Sequence, residues 1–197
     1  MTLFLILSMN FLGHLYFSDN DLALMQANIF GDFVKGKDLS RFPIKMQEGI
    51  LLHRKIDSYI DTHPSVILLL HRLYSDLPKV AGIAVDLYFD HLLAKNWKDF
   101  HTKDLDVFIN QFYASIDTSN ENYSSKYFYM LEKMQEKNWL FQYQFLDGLD
   151  KSCHGVSRRI SFENKLSIGV DVFKKFEKEI EYAFFEYMKD AKIVFKS

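Results

Sequence analysis

A chain of 197 residues with 48% hydrophobic and 25% charged side chains is long enough to bury a sizeable core and too apolar to remain disordered. Its net charge of −2 supplies no general basic field, which argues against sequence-independent binding of nucleic acid. The single Cys153 excludes an intramolecular disulfide framework and a thiolate-rich zinc or iron–sulfur site held by this chain alone, and it suits a reducing cytoplasm.

Leu3 to Leu7 is apolar, but no basic residue precedes this short run. It is neither a signal peptide nor the roughly 20 apolar residues of a membrane span, so no membrane association is expected. Met9 offers a second start, which makes residues 1–8 an extension of one helical domain over 9–197. Apolar residues recur at three and four, as in Ile50, Leu51, Ile56, Tyr59 and Ile60, and no segment alternates strictly. The expected fold is all-α, about eight helices. The first runs from about Asn10 to Phe17 and the second from the polar break at Ser18–Asp21 to near Lys35, where Gly36 can end it. Pro43 opens a helix to about Asp61, and Pro64 one to about Tyr74. Another follows Pro78, to about Lys95. Helices over 104–117, 122–136, 138–151 and 161–189 complete the chain.

Five of the seven histidines, at 14, 53, 63, 71 and 91, lie in the first 91 residues. At about 100° per residue, His53 and Asp57 differ by only about 40° around a helix, and Asp61 is one step further. This stripe can present an imidazole and two carboxylates to one cation, or simply be a solvated face with a His–Asp hydrogen bond. Asp86, Asp90 and His91 are sharper, because the rest of Ala81–Ala94 is almost wholly apolar. Burying carboxylates without partners costs several kcal/mol each, a cost that a divalent cation or buried ion pairs to other helices would remove. His14 lies in another apolar helix, where a hydrogen-bonded core histidine is the plainer reading. Asp32 follows Gly31 and can cap or ligate, and Asp61 before His63 is equally open. His71 and His101 read as structural or surface residues. Nitrogen and carboxylate donors without thiolate suit Mn²⁺, Mg²⁺, Fe²⁺ or Zn²⁺, and point to metal-assisted hydrolysis of a phosphate ester. Basic stretches follow at Lys35, Lys37, Arg41 and Lys45, at Arg54 and Lys55, and at Lys151, Arg158, Arg159 and Lys165. Each suits an anionic substrate or a solvated surface. No Walker A loop, Gly-x-Gly-x-x-Gly or Gly-x-Ser-x-Gly motif is present.

Met9-Asn-Phe-Leu-Gly-His-Leu-Tyr16, Gly31-Asp-Phe-Val-Lys-Gly36, Gly49-Ile-Leu-Leu-His-Arg-Lys-Ile-Asp57, Asp61-Thr-His-Pro64 and Asp86-Leu-Tyr-Phe-Asp-His-Leu-Leu-Ala94 with Trp97 resemble the acyl carrier protein phosphodiesterase family. The blocks come in the family's order over roughly Met9 to Phe100, and Ser157-Arg-Arg159 resembles a later element. The resemblance implies a helical fold related to the HD phosphohydrolases, and hydrolysis of the phosphodiester between 4′-phosphopantetheine and the carrier protein's serine. It implies manganese as cofactor and acyl carrier protein as partner. Family members begin near Met9, and Gly13 stands where Ala is expected.

The chain has no His-Asp dipeptide but the reversed Asp90-His91, so ligand roles of ordinary HD enzymes do not transfer. Guided by the resemblance, His14, Asp32, His53, Asp57, Asp86, Asp90 and His91 are expected around the metal, in contact with it or orienting its ligands. His53, Asp57 and Arg54 are expected in the chemistry, Arg54 as a bidentate phosphate clamp. Lys35, Arg41, Arg54, Arg158 and Arg159 are expected to bind the acidic carrier protein. Rival readings are a hydrolase of a nucleotide or other small phosphodiester, and a non-enzymatic helical binding module. Phe173, Phe176, Tyr182, Phe184, Phe185 and Tyr187 are expected to be mainly core, with an interface or a pocket for the pantetheine arm as alternatives.

Overall fold

Backbone breaks and caps divide the periodic sequence into helices at specific residues, as the computed structural model, described over residues 11–196, makes visible. Twelve α-helices and two short 3₁₀ turns account for the regular structure, with no strand among the described residues. The expected extension over residues 1–8 lies outside them.

α1 (Phe11–Tyr16) ends where Asp19 and Asn20 adopt left-handed backbone, a conformation these residue types tolerate. α2 (Leu22–Phe30) starts at Asp21, whose carboxylate accepts from the Leu24 amide at 3.0 Å. It stops five residues before the expected end. Gly31–Phe33 tightens into a 3₁₀ turn, and Gly36 reverses the chain at φ 84°. α3 (Ile44–Thr62) follows Pro43, and α4 (Pro64–Leu73) carries Pro64 at its start. α5 (Ala81–Lys95) begins later than Pro78 suggests, because Lys79 is left-handed.

The second half is more broken than its periodicity implies. α6 (Trp97–Phe100), α7 (Leu105–Ala114) and α8 (Ser125–Glu136) precede a left-handed Asn138 that separates α8 from α9 (Trp139–Gln142). The expected helix 138–151 is thus α9 and then α10 (Leu146–Ser157). The expected helix 161–189 is a 3₁₀ turn at Leu166–Ile168, then α11 (Gly169–Lys175) and α12 (Glu177–Phe195), parted at Phe176.

The buried apolar residues form one contiguous core, with α5 buried on nearly every side. α1 and α10 pack on α5, and α12 packs on α4 and α5. α2 and α3 approach most closely, because Gly49 leaves no room for a side chain against Ala27. Phe173, Phe184 and Tyr187 join the core as expected, whereas Tyr182 and Phe185 stand exposed. No helix among the described residues is long and apolar enough to cross a membrane.

Candidate metal centre

α1 is too short to be stable alone and is held from outside. The amides of Leu12 and Gly13 donate to Asp90 Oδ2 and Oδ1 at 2.9 and 2.8 Å. These first-turn amides have no partner within their own helix, so the carboxylate of α5 caps α1. Burial pushes the Asp90 carboxyl up to about 8, and the two amides oppose that shift. A Cβ on Gly13 would meet Asp90 Oδ1 at an ordinary 3.6 Å, so the expected Ala would fit there. At the other end, the His14 carbonyl accepts from Ser18 Oγ at 2.8 Å and Asn28 Nδ2 at 3.0 Å. His14 is thereby fixed, 1% exposed, with its ring directed at α3.

On α3, His53 and Asp57 occupy one face at i and i+4. The His53 ring stacks on that of His14, with centroids 4.2 Å apart and planes at 14°. Asp57 divides its oxygens between them: Oδ1 lies 3.2 Å from His14 Nε2, and Oδ2 lies 3.1 Å from His53 Nε2. From the 3₁₀ turn, Asp32 Oδ1 reaches His53 Nε2 at 3.4 Å. Gly31 makes this approach possible, since a Cβ there would sit 2.7 Å from His53 Cδ2. One donor atom each of His14, His53 and Asp57 fall within 4.8 Å of one another.

The electrostatics suit a cation. Burial lowers the affinity of His53 for a proton, but Asp32 and Asp57 outweigh it and raise the imidazole to about 9. Burial and then the charge of His53 hold His14 below the usual histidine range, against the pull of Asp57. A neutral His14 has a lone pair to offer, and its Nε2 has no well-aligned hydrogen bond among the described residues. Burial pushes Asp57 up, yet the two imidazoles hold it well below the carboxylate range. Asp86, half-buried one turn before Asp90, is pushed well above that range by burial and by Asp57, Asp61, Asp90 and Asp32. A divalent cation among these groups would reverse the repulsion between carboxylates and take the place of the His53 proton. The donors are imidazole nitrogen and carboxylate oxygen, a set that fits several divalent metals without selecting one.

The structure draws His14, His53, Asp57 and Asp32 together, sets Asp86 within reach of their charges, uses Asp90 to hold the helix that bears His14, and puts the other expected residues elsewhere. Both Asp90 oxygens serve the α1 backbone. Adjacent His91 points to another side of α5, where its Nδ1–H donates to the Tyr143 carbonyl at 2.6 Å and its ring meets Phe173 edge-on. Arg54, expected to clamp phosphate, uses Nη2 to donate to the carbonyls of Val34 at 3.2 Å and Gly36 at 2.7 Å. It fastens the loop after Asp32. Lys35 and Arg41 are exposed, the latter with its guanidinium 4.7 Å from the Phe42 ring centre. Arg158 and Arg159 follow α10 and border a cleft of about 600 Å³ with Lys137, Trp139 and Lys151. His63 bonds Ser65 at 2.8 Å and lies 3.4 Å from Asp190, joining α4 to α12. The sequence alone does not reveal the close approach at Gly31 or the role of Asn28; a lone Asn within the apolar stretch of α2 is the one signal that marks the latter.

A family model described as acyl carrier protein phosphodiesterase matches residues 9–191. The chain is similar to the acyl carrier protein phosphodiesterase of Photorhabdus laumondii subsp. laumondii, 32% identical over 159 residues and covering 77% of each chain. It is 26% identical over 152 residues to the proteins of that name from Salmonella agona and Salmonella newport, covering 77% of this chain and 79% of theirs. No solved structure matches.

Proposed function

The chain belongs to the acyl carrier protein phosphodiesterase family, and we propose that it hydrolyses the phosphodiester joining 4′-phosphopantetheine to a serine of holo acyl carrier protein. The products are apo carrier protein and 4′-phosphopantetheine. The observation that carries the reading is the convergence of His14, His53 and Asp57 within a family-matched chain.

In this reading His14 Nε2, His53 Nε2 and an Asp57 oxygen hold the cation, which we take to be Mn²⁺, with Asp32 beside His53. Such a cation supplies Lewis-acid polarisation of the phosphoryl oxygens and eases ionisation of water. Asp90 keeps α1, and so His14, in place. Water adds to phosphorus and gives up a proton. With a cation offsetting the neighbouring carboxylates, Asp86 would be ionised and is a nearby carboxylate able to take it. The serine oxygen leaves and is protonated in turn. The reaction belongs in the cytoplasm, and the helical site is that of an HD-like hydrolase with altered ligands.

The test is intact mass spectrometry of holo acyl carrier protein incubated with this protein and Mn²⁺, alongside an EDTA control. Loss of the phosphopantetheine mass only with metal supports the reading. No loss, with turnover of small phosphodiesters instead, replaces the substrate.

A further inference from the structure

α12 buries one face and leaves another outward. Ile180, Ala183, Phe184, Tyr187, Met188 and Ala191 are in the core. Phe185, Lys189, Lys192 and Lys196 recur at +4, +7 and +11, within about 60° of one another around the helix, and Ile193 flanks them. Phe185 is 43% exposed and Ile193 is 70% exposed. With Phe100 these residues line a shallow groove of about 620 Å³ that has no carboxylate in its lining.

Three lysines meet on this face, and none has an ion-pair partner among the described residues. Several lysines elsewhere are neutralised: Lys45 by Asp21 and Glu48, Lys95 by Glu177 and Glu181, Lys175 by Asp76. Here two of the three ammonium groups rest on aromatic rings, Lys192 at 5.9 Å from the Phe100 centre and Lys196 at 3.9 Å from that of Tyr16. Exposed aromatic and aliphatic side chains ringed by one sign of charge form a recognition surface for the opposite sign.

The face also adjoins the helices that bear the metal cluster. Tyr16, under Lys196, is two residues from His14 on α1, and its hydroxyl donates to the Phe100 carbonyl at 3.4 Å. Lys55, between His53 and Asp57 on α3, lies over the ring of Phe195 at the end of α12. A protein substrate resting on this groove would sit beside the elements that carry the chemistry.

We infer that the outward face of α12, with Phe185, Lys189, Lys192, Ile193 and Lys196, is the docking surface for the acidic carrier protein. This rests on the proposed substrate. It replaces the separated Lys35–Arg41 and Arg158–Arg159 stretches as the principal contact. An anionic lipid surface is less suited, because the exposed apolar strip is narrow and the opposite face of α12 is committed to the core.

The test uses the full chain and the double variant Lys189→Glu, Lys192→Glu. Binding of fluorescently labelled acyl carrier protein is read by anisotropy, and turnover by mass spectrometry. The variant is expected to bind about tenfold more weakly at low salt, with KM raised to match and kcat within about twofold. Lys35→Glu with Arg41→Glu is expected to have the smaller effect. Wild-type affinity in the α12 variant overturns the inference. So does a larger loss in the Lys35/Arg41 variant, or cosedimentation of the wild type with phosphatidylserine vesicles that the α12 variant alone loses. A wild type that binds carrier protein through this face but does not cleave it leaves the docking surface standing and removes the hydrolytic reading.

Discussion

His14 and His53 lie face to face, 4.2 Å between ring centres, and both imidazoles point Nε2 at the carboxylate of Asp57. Two stacked imidazoles cannot both be protonated cheaply, and here the charge of His53 helps hold His14 neutral. The pair therefore offers one proton-binding and one lone-pair nitrogen around a shared anion, an arrangement that a divalent cation would complete.

Replacement of Asp57 by Asn should remove the anion while keeping the shape. Mn²⁺ affinity and phosphodiesterase rate should each fall by more than about 100-fold. Isothermal titration with Mn²⁺ beside a rate measurement checks this. Retention of tight binding would move the ligand role to Asp32 and Asp86.

The metal-free protein should lose stability as pH rises. The His53 imidazole is raised from 6.5 to about 9 in the fold. A raised value means the native state holds the proton more tightly, so the stabilisation is complete below pH 6.5 and lost as pH passes through about 9. Melting of EDTA-treated protein across pH 6–9.5 should show a decline that His53→Gln flattens. Because metal competes with that proton, Mn²⁺ affinity should increase over the same interval. A pH-independent affinity would contradict the assignment.

Truncating Asp90 to Ala should act through α1. The buried Leu12 amide and the partly buried Gly13 amide would lose their acceptor, at a cost of about 1–3 kcal/mol each, partly offset by removal of a buried carboxyl. A fall in Tm on the order of 5–15 °C is expected, with weakened metal binding as a consequence. Unchanged Tm with metal binding abolished would instead make Asp90 a ligand.

Arg54→Met separates a loop fastener from a phosphate clamp. Loss of the Val34 and Gly36 bonds should cost on the order of 1–3 kcal/mol of stability and loosen the segment that carries Asp32. Amide exchange around residues 34–37 should accelerate. A variant with unchanged exchange and sharply reduced kcat would restore the clamp.

The helical class was plain from spacing, because three-and-four periodicity needs only local sequence. Helix limits are less so: left-handed Lys79 carries no sequence mark and Asn138 only the general tolerance of its type for that backbone, a weaker mark than Gly36. His53 with Asp57 could be read off α3, since i and i+4 share a face. His14 joins them in the sequence only through the family resemblance, because spacing cannot reveal a contact between two helices. Asp90 and His91 look equivalent in an apolar run, yet a 100° turn sends one to the α1 amides and the other to Tyr143. Arg54 looked like a clamp because neighbouring carbonyls that need a donor leave no trace in composition.

The most direct test of the metal-centred account is electron paramagnetic resonance of Mn²⁺ with the wild type, His14→Ala and Asp57→Asn, paired with mass analysis of holo acyl carrier protein. The account predicts bound Mn²⁺ and loss of the phosphopantetheine mass in the wild type, and the absence of both in each variant. A variant that loses its bound Mn²⁺ but still removes the group would contradict it.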